Sequence, residues 1–220
     1  MIQPIRAQLE HSLQQCFDGA RLAEATLSAC PEICLWLTDP ACLQRRLSEQ
    51  EQLAIAANPA YWSVCWPGGL ALARLILDQP ERVKDKTVMD VGCGAGVVAI
   101  AAALAGASQV IACDLDPLAL QASELNAISN EVELNYCLDY RDYKNVDLIC
   151  AADLLYDDSN KDLLDDFQQM AKQVLLAESR APVVDHPYYH LVGEGRYPTE
   201  PDQGQTDFFE KVMLYCNRAD

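Results

Sequence analysis

The sequence predicts a doubly wound α/β fold with a mostly parallel sheet, preceded by a helical N-terminal extension. From residue 58 onward, short apolar runs alternate with helix-length segments, which is typical of parallel strands that are buried on both faces. A glycine loop joins one of these runs to an alanine-rich helix, and acidic residues follow several runs. Such folds bind ligands at the carboxyl ends of their strands, so the sequence also predicts where a site should lie.

The first 57 residues are predicted to form a mainly helical extension or lid, and residues 58–220 to form the main domain. Apolar residues recur four apart over residues 5–17, which indicates an amphipathic helix. Further helices are predicted near residues 21–29 and at residues 41–57, where Asn58-Pro59 ends the helical pattern. A short apolar stretch at residues 31–37 lies between these two helices.

The alternating pattern of the main domain predicts the elements of the sheet. Residues 187–205 contain Gly, Pro and Tyr and are predicted to form a loop. A chain of 220 residues is long enough to bury most of its apolar surface in one core. Strands are predicted at residues 87–91, 109–114, 132–137, 146–152, 181–185 and 212–216, and helices at residues 68–77, 97–105, 118–129 and 159–177.

Composition limits the classes of partner. The formal net charge of −17 argues against an extended nucleic-acid partner, because phosphate backbones are bound through Lys and Arg. It favours a cationic or neutral substrate, although acidity also serves solubility alone. The sequence has no long apolar run and no basic leader, so we expect a cytoplasmic protein with no membrane partner. The ten cysteines form no Cys-x-x-Cys pair and are interpreted as small buried side chains in a reducing compartment.

The glycine loop is the most informative segment. Asp90 precedes Gly92, Gly94 and Gly96, and glycines there let the backbone turn sharply and approach a ligand closely. A dinucleotide loop has the spacing Gly-x-Gly-x-x-Gly, whereas here the third glycine comes one residue early and Val97 occupies the expected place. A carboxylate at Asp90 repels phosphate but can hold an ammonium group or order the loop. The loop therefore favours S-adenosylmethionine, whose methionyl end is cationic, as the cofactor.

Further carboxylates follow other predicted strands. Asp114 comes twenty-two residues after Gly92, at a predicted strand end, where a carboxylate can accept hydrogen bonds from both ribose hydroxyls of a nucleoside. Asp139, Asp153 and Asp185 lie at or just beyond other strand ends. Because Asp is common in turns and helix N-caps, each of these residues alone is weak evidence for a site. Together at the same edge of the sheet, they predict a binding site.

Two segments carry candidate substrate contacts. Trp66 precedes a Gly-Gly turn and is interpreted as shielding a sulfonium or a lysine by cation–π attraction, although tryptophan usually packs in the core. Asp153 and Tyr156 follow the fourth predicted strand and can bind an amine through a charged hydrogen bond and an aromatic wall. The alternative is that they belong to a polar turn that only leads into the next helix.

Methyl transfer from a sulfonium needs a neutral amine lone pair, so positioning and exclusion of water should supply most of the catalysis. Asp153 is predicted to orient the amine first and to handle protons second, because a nearby carboxylate favours the charged amine. Asp185, His186 and His190 can be drawn as metal ligands, but no fourth ligand stands at a defined spacing, so no metal is predicted. The segment Asp185-His-Pro-Tyr188 is also similar to the Asp-Pro-Pro-Tyr loop of some nitrogen methyltransferases, but it comes one strand late.

The chain resembles the seven-strand S-adenosylmethionine-dependent methyltransferases of the lysine methyltransferase group, which includes the electron transfer flavoprotein β-subunit lysine methyltransferases. The resemblance covers about residues 31–185 and implies a Rossmann-like fold with a seven-stranded sheet. It also implies that the family's Gly-Asp-Pro-Gly-Arg after the fifth strand appears here as Val184-Asp-His-Pro-Tyr. The matching segments are Pro31-Glu-Ile-Cys-Leu-Trp-Leu, Tyr61-Trp-Ser-Val-Cys-Trp-Pro-Gly-Gly69, Asp90-Val-Gly-Cys-Gly-Ala-Gly96 and Asp153-Leu-Leu-Tyr-Asp157.

The resemblance also implies roles for individual residues. The implied activity is protein-lysine N-methylation, which yields S-adenosylhomocysteine, on an electron transfer flavoprotein subunit or a ribosomal protein with an accessible lysine. Two alternatives stay open: methylation of a small amine such as a pyridine carboxamide, and an inactive S-adenosylmethionine-binding protein. By the resemblance, the cofactor is lined by Trp66, Asp90, Gly92, Asp114 and Asp139, and the lysine is received by the Asp-x-x-Tyr motif of Asp153 and Tyr156.

Overall fold

The structure is a computed structural model that describes residues 2–180, 184–202 and 211–217. The helices are α1 (Ile2–Gln14), α2 (Glu49–Ala57), α3 (Pro67–Asp78), α4 (Val97–Leu104), α5 (Pro117–Ser129) and α6 (Leu163–Met170). The strands are β1 (Leu22–Thr26), β2 (Cys34–Thr38), β3 (Thr87–Val91), β4 (Gln109–Cys113), β5 (Asn135–Cys137), β6 (Val146–Ala152), β7 (Ala171–Glu178), β8 (His190–Arg196) and β9 (Lys211–Cys216). Short 3-10 helices include Tyr61–Ser63 and Tyr140–Asp142.

Seven strands of the described chain form one sheet in the order β5-β4-β3-β6-β7-β9-β8. The neighbouring strands β5, β4, β3, β6 and β7 are paired in parallel. In contrast, β9 runs antiparallel to both β7 and β8. This confirms the predicted doubly wound, mostly parallel, seven-stranded sheet. The strand order reverses between β3 and β6, and the crevice outside their carboxyl ends is the expected place for a ligand.

Apolar side chains cover both faces of the sheet. Val88 and Met89 are neighbours on β3 and both are fully buried, yet they belong to different cores. Successive side chains of a strand point to opposite faces. Ile100 of α4 packs in the first core and Phe167 of α6 in the second. The uninterrupted apolar runs of the sequence therefore follow from helices on both faces of a parallel sheet.

The N-terminal region packs on α5. α1 buries Leu9 and Leu13 in a cluster that includes Leu125 of α5. Asn126 of α5 accepts a hydrogen bond from the backbone N–H of Trp36 on β2, with 2.6 Å between nitrogen and Oδ1. These contacts attach the N-terminal region to the helix that follows β4. The division of the chain at residue 57 into an extension and a main domain stays a prediction.

The helix predicted near residues 21–29 is wrong. Residues Leu22–Thr26 form β1, which pairs antiparallel with β2 over its whole length. The alanines of this segment favour a helix by intrinsic propensity. Pairing with the apolar β2 and the alternating burial of β1 outweigh that preference. The helix predicted at residues 41–57 is wrong in its first half, because Pro40–Leu43 form a 3-10 helix and α2 begins only at Glu49. The extension is therefore a mixture of helices and a two-stranded sheet.

The helix predicted at residues 159–177 is wrong in its second half. α6 ends at Met170, and Ala171–Glu178 form β7 beside β6. No Gly or Pro separates α6 from β7, so the sequence carries no boundary signal there. The strand predicted at residues 181–185 is displaced: Val184 and Asp185 lie outside any strand, and residues 181–183 lie outside the described residues.

The loop predicted at residues 187–205 contains β8, while its last residues, 203–205, lie outside the described chain. The remaining predicted helices and strands of the main domain are confirmed to within a few residues. All ten cysteines are free, and only Cys34 among them is not buried. In the described part of the chain, no helix has the length and apolar character that crossing a membrane requires.

Candidate active site

A cavity of about 320 Å³ opens at the carboxyl ends of the central strands. This is the place that the strand order predicts. The rest of its wall includes Tyr61, Leu138, Tyr140, Leu154 and Arg180. The cavity brings together six of the nine predicted site residues, namely Trp66, Gly92, Gly94, Asp114, Asp153 and Tyr156.

Asp90 lies on β3, but its carboxylate does not line the cavity. The side chain is buried, and its Oδ2 accepts a hydrogen bond from the N–H of Ala99 in the first turn of α4 at 3.1 Å. Burial raises the pKa of Asp90 to about 7, and the bond from Ala99 acts in the opposite direction. The sequence allowed this carboxylate either to hold an ammonium group or to order the loop. The geometry corresponds to the second role, because the carboxylate binds the start of α4.

The three loop glycines all have left-handed backbone conformations, but for different reasons. A Cβ at Gly92 would lie 2.4 Å from Cδ2 of Leu154, and a Cβ at Gly96 would lie 2.4 Å from Oγ of Ser123. A Cβ at Gly94 would meet no heavy atom within 4 Å. Gly92 and Gly96 therefore allow close packing within the protein, whereas Gly94 borders the open space of the cavity.

Asp114 is attached to the glycine loop. Its Oδ2 accepts a hydrogen bond from the N–H of Gly94 at 3.0 Å, and its Oδ1 accepts one from the N–H of Asp116 at 3.0 Å. Burial raises the pKa of Asp114, and these two hydrogen bonds act against that rise. Each carboxylate oxygen has a second lone pair, so Asp114 can still accept hydrogen bonds from a ligand in the cavity.

Asp139 is not part of the cavity wall, although its neighbours Leu138 and Tyr140 are. Its Oδ1 accepts hydrogen bonds from the backbone N–H and the side-chain Nε of Arg141, both at 2.9 Å. The Arg141 guanidinium holds the pKa of Asp139 below its usual range. The structure therefore places Asp139 as the N-cap of the 3-10 helix Tyr140–Asp142.

Asp153 joins three segments at the carboxyl end of β6. Its Oδ2 accepts a hydrogen bond from the N–H of Gly68 at 2.7 Å, and its Oδ1 accepts bonds from the N–H and Oγ–H of Ser179, both at 2.7 Å. Burial raises the pKa of Asp153, and the bonds from Ser179 oppose that rise. The residue has a φ of 51°. Its position therefore depends on α3, β6 and the end of β7 together.

Glu178, the last residue of β7, is a candidate functional residue that was not predicted from the sequence. It is 1% exposed, and its Oε1 accepts hydrogen bonds from the N–H groups of Leu154 and Leu155 at 3.1 and 3.2 Å. Burial, followed by the charge of Asp153, raises the pKa of Glu178 to about 8. The three hydrogen bonds that Asp153 accepts, all at 2.7 Å, are shorter than those that Glu178 accepts. Glu178 holds the segment between Asp153 and Tyr156 in place.

Aromatic rings and one cation form the other side of the cavity. The Nε1–H of Trp66 donates to the carbonyl of Tyr61 at 3.0 Å, and the Tyr61 ring lies 5.9 Å from the Trp66 ring and 5.7 Å from the Tyr156 ring. The guanidinium carbon of Arg180 lies 4.1 Å from the Trp66 ring centroid. Tyr61 and Tyr156 are 41% and 48% exposed, so this side of the cavity opens to solvent.

The prediction for the residues that follow the fifth strand is also wrong. Asp185 is exposed and does not line the cavity, and β7 ends seven residues earlier, at Glu178. The acidic and basic residues that follow the fifth parallel strand are therefore Glu178 and Arg180, not residues 184–188. No sequence signal could have found them, because this segment has the composition of a helix. His186 lies 3.4 Å from a carboxylate oxygen of Asp165 and packs on the Tyr189 ring.

Comparisons with known proteins find methyltransferases. A family described as "Ribosomal protein L11 methyltransferase (PrmA)" matches residues 71–174. The electron transfer flavoprotein beta subunit lysine methyltransferase of Danio rerio is 38% identical over 169 residues, which cover 72% of this chain and 64% of that protein. The protein of the same name from Rattus norvegicus is 35% identical over 214 residues, which cover 92% of this chain and 79% of that protein.

The chain thus spans less than two thirds of the length of the Danio rerio relative. Among solved structures, the ribosomal protein L11 methylase from Lactobacillus delbrueckii subsp. bulgaricus superposes with a TM-score of 0.52 at 24% identity. The match covers 68% of this chain and 78% of that chain. At this identity the likeness concerns the fold alone.

Proposed function

This chain belongs to the family of electron transfer flavoprotein β subunit lysine methyltransferases, and we propose that it is an S-adenosylmethionine-dependent protein-lysine N-methyltransferase. The observation that carries the proposal is one cavity that joins the glycine loop and Asp114 to Asp153 and Tyr156. The proposed substrate is a protein with an accessible lysine. The names of the relatives suggest the electron transfer flavoprotein β subunit or a ribosomal protein as candidates.

The cofactor end of the cavity has the chemistry that S-adenosylmethionine requires. At Gly94 no side chain occupies the space beside the loop, so a methionyl group can approach the backbone closely. Asp114 has free lone pairs for ribose hydroxyls. Leu138 and Tyr140 offer an apolar wall for an adenine ring. The residues present therefore fit this cofactor, and we propose that they hold it.

The acceptor end suits a long side chain with a cationic tip. When bound, the sulfonium of the cofactor supplies a methyl group for in-line displacement by an amine. Tyr61, Trp66 and Tyr156 place aromatic rings around this end of the cavity, where such rings attract an ammonium group and exclude water. Asp153 accepts hydrogen bonds from Gly68 and Ser179 on both of its oxygens, so we assign it to orienting the amine rather than to strong base catalysis.

The proposal is tested by incubating the protein with tritiated S-adenosylmethionine and a lysate of its host, followed by gel separation and fluorography. A discrete labelled protein band is expected, and it identifies the substrate. Purified electron transfer flavoprotein β subunit and ribosomal proteins are then assayed individually, with the Asp153→Asn variant as the matched control.

Two results would overturn the proposal. Label that enters only small molecules would indicate a small-amine methyltransferase. No label at all, despite cofactor binding measured by calorimetry, would indicate an inactive S-adenosylmethionine-binding protein. Mass spectrometry of a labelled band must also place the methyl group on a lysine, because a methylated residue of another type would contradict the proposed chemistry.

A further inference from the structure

Arg180 places a positive charge at the acceptor end of the cavity. It lies two residues after the end of β7 and lines the same cavity as Asp153 and Tyr156. Its guanidinium carbon is 4.1 Å from the centroid of the Trp66 ring, which is typical of a stacked cation–π contact. Trp66 therefore holds the planar group against the cavity wall.

The charge of Arg180 reaches the two residues proposed to receive the lysine. Burial raises the pKa of both Asp153 and Tyr156, and the positive charge of Arg180 acts in the opposite direction on each of them. The contact with Trp66 places the guanidinium on the wall of the cavity that Asp153 and Tyr156 also line. An amine bound there would experience the same charge.

This charge bears on a chemical requirement of lysine methylation. A lysine ammonium has a pKa of about 10.4 in water, so only about one in a thousand side chains is neutral near pH 7. A carboxylate beside the ammonium favours the charged form further, whereas a neighbouring cation favours the neutral amine. Asp153 alone would therefore help binding and oppose reaction.

We propose that Arg180 promotes methyl transfer by holding a permanent positive charge beside the acceptor lysine, which favours its neutral amine form. The inference rests on the proposed lysine methyltransferase function and deepens it. The ammonium first releases its proton to solvent. The amine lone pair then forms the nitrogen–carbon bond to the methyl group while the carbon–sulfur bond breaks and its electron pair stays on sulfur. Arginine suits this role because its guanidinium stays charged at every relevant pH.

Two further acidic residues of the described chain, one buried and one exposed, lie near Asp153 and Tyr156. Glu178 holds a proton near neutral pH because burial raises its pKa to about 8. Asp157 is exposed and accepts a hydrogen bond from the N–H of Ser159. Burial, Tyr61 and the charge of Asp157 raise the pKa of Tyr156, whereas Arg180 lowers it. Among the described residues, the titratable groups that line this end of the cavity are Tyr61, Asp153 and Tyr156.

The test compares kcat/KM over about pH 6 to about pH 10 for the wild type, Arg180→Met and Arg180→Lys. The assay uses tritiated S-adenosylmethionine and the protein band identified by lysate labelling. Arg180→Met leaves Asp153 unopposed, so we expect about tenfold lower kcat/KM near pH 7, with the acidic limb of the profile about one unit higher. Arg180→Lys retains a positive charge and should keep the wild-type shape of the profile.

A second readout separates this role from a structural one. In a substrate whose acceptor lysine is replaced by S-(2-aminoethyl)cysteine, the amine is more acidic, so the deficit of Arg180→Met relative to the wild type should shrink at the alkaline end of the pH range, where the amine is neutral in both proteins. Cofactor affinity, measured by calorimetry, should stay within about threefold of the wild type. Arg180→Gln, which keeps a polar side chain, replaces Arg180→Met if the latter does not fold.

Several outcomes would overturn the inference. A loss of activity that is equal at every pH, or a deficit that the more acidic amine does not reduce at alkaline pH, would assign Arg180 a structural role. Higher activity of Arg180→Met would mean that the guanidinium obstructs the acceptor. If the wild type transfers methyl groups but the pH profile of Arg180→Met is not shifted, this inference is refuted and the proposed function is not. Absence of transfer by the wild type at every pH refutes the proposed function and this inference with it.

Discussion

The two ends of the cavity are built in different ways. The cofactor end comes from residues close in sequence: Gly94 and Asp114 are twenty residues apart and share a hydrogen bond of 3.0 Å. The acceptor end joins distant segments, because Asp153 accepts hydrogen bonds from Gly68, eighty-five residues away, and from Ser179, twenty-six residues away. The cofactor end depends on the glycine backbone at Gly94. The acceptor end depends on a buried charged side chain, Asp153, which several elements hold in place.

This difference predicts different consequences of mutation. A substitution in the glycine loop fills space that the cofactor needs, so it should act on cofactor affinity. A substitution among the carboxylates of the acceptor end changes charge and orientation beside the reacting amine, so it should act on turnover. Measurements that separate cofactor affinity from turnover therefore sharpen or break the comparison.

The largest effect is expected at Asp153. The variant Asp153→Asn should lower turnover by about 100-fold and leave cofactor affinity within about threefold of the wild type. Asn tolerates the left-handed backbone of this position, but its amide NH2 must face an N–H donor, either Gly68 or Ser179. Turnover is measured by methyl transfer and affinity by calorimetry. An equal loss of cofactor binding would refute the assigned role.

The second prediction concerns Gly94, with Gly19 as its matched control. Both glycines have positive φ values, 51° and 70°, and a Cβ at either position would meet no heavy atom within 4 Å. Alanine at either position should therefore cost about 1 kcal/mol of unfolding free energy. Only Gly94→Ala should weaken S-adenosylmethionine binding, by at least about tenfold, because its methyl group enters the cavity. Thermal unfolding and calorimetry check both parts, and equal cofactor affinities for the two variants would contradict the proposed cofactor position.

The third prediction is a pH dependence of stability. The pKa of Glu178 is about 8 in the folded chain and about 4.3 in an unfolded chain, so the folded chain binds more protons between these values. The free energy of unfolding should therefore fall as the pH rises through this range. Glu178→Gln does not titrate and should lose less stability between pH 5 and pH 8, by on the order of 3 to 4 kcal/mol.

Urea unfolding of the wild type and Glu178→Gln at several pH values makes this measurement. Asp90, whose pKa is about 7, titrates in both proteins and so contributes equally to both curves. Parallel pH dependence in the two proteins would mean that Glu178 is already ionised in the folded state, and the arrangement of charge at the acceptor end would have to be revised.

The smallest effect is expected at Asp139. The family resemblance implies that it lines the cofactor, whereas its carboxylate is bonded to Arg141 outside the cavity wall. Asp139→Asn should change cofactor affinity by less than about twofold, while the matched variant Asp114→Asn should weaken it by about tenfold. Calorimetric titration of both variants decides between the two positions. A comparable loss at Asp139 would favour the role that the resemblance implies.

Local sequence signals predicted the backbone around the glycine loop well. Left-handed glycines, a buried apolar strand and a carboxylate at the next strand end all depend on neighbours within a few residues, and the structure has them at Gly92, Gly94 and Asp114. Asp90 shows the limit of this reasoning. Its position on β3 was predicted, but the sequence left open whether its carboxylate faces the ligand or the start of α4. Packing of α4 on the sheet decided this.

By itself, the sequence determined the doubly wound sheet, the glycine loop and the position of Asp114 at a strand end, because short-range spacing and apolar runs specify these features. Only the tertiary structure decided that Leu22–Thr26 and Ala171–Glu178 are strands, and that Glu178 and Arg180 stand at the acceptor end. Strand pairing and hydrogen bonds between distant segments outweigh local propensity. The energy of such contacts depends on partners that no local window of the sequence contains.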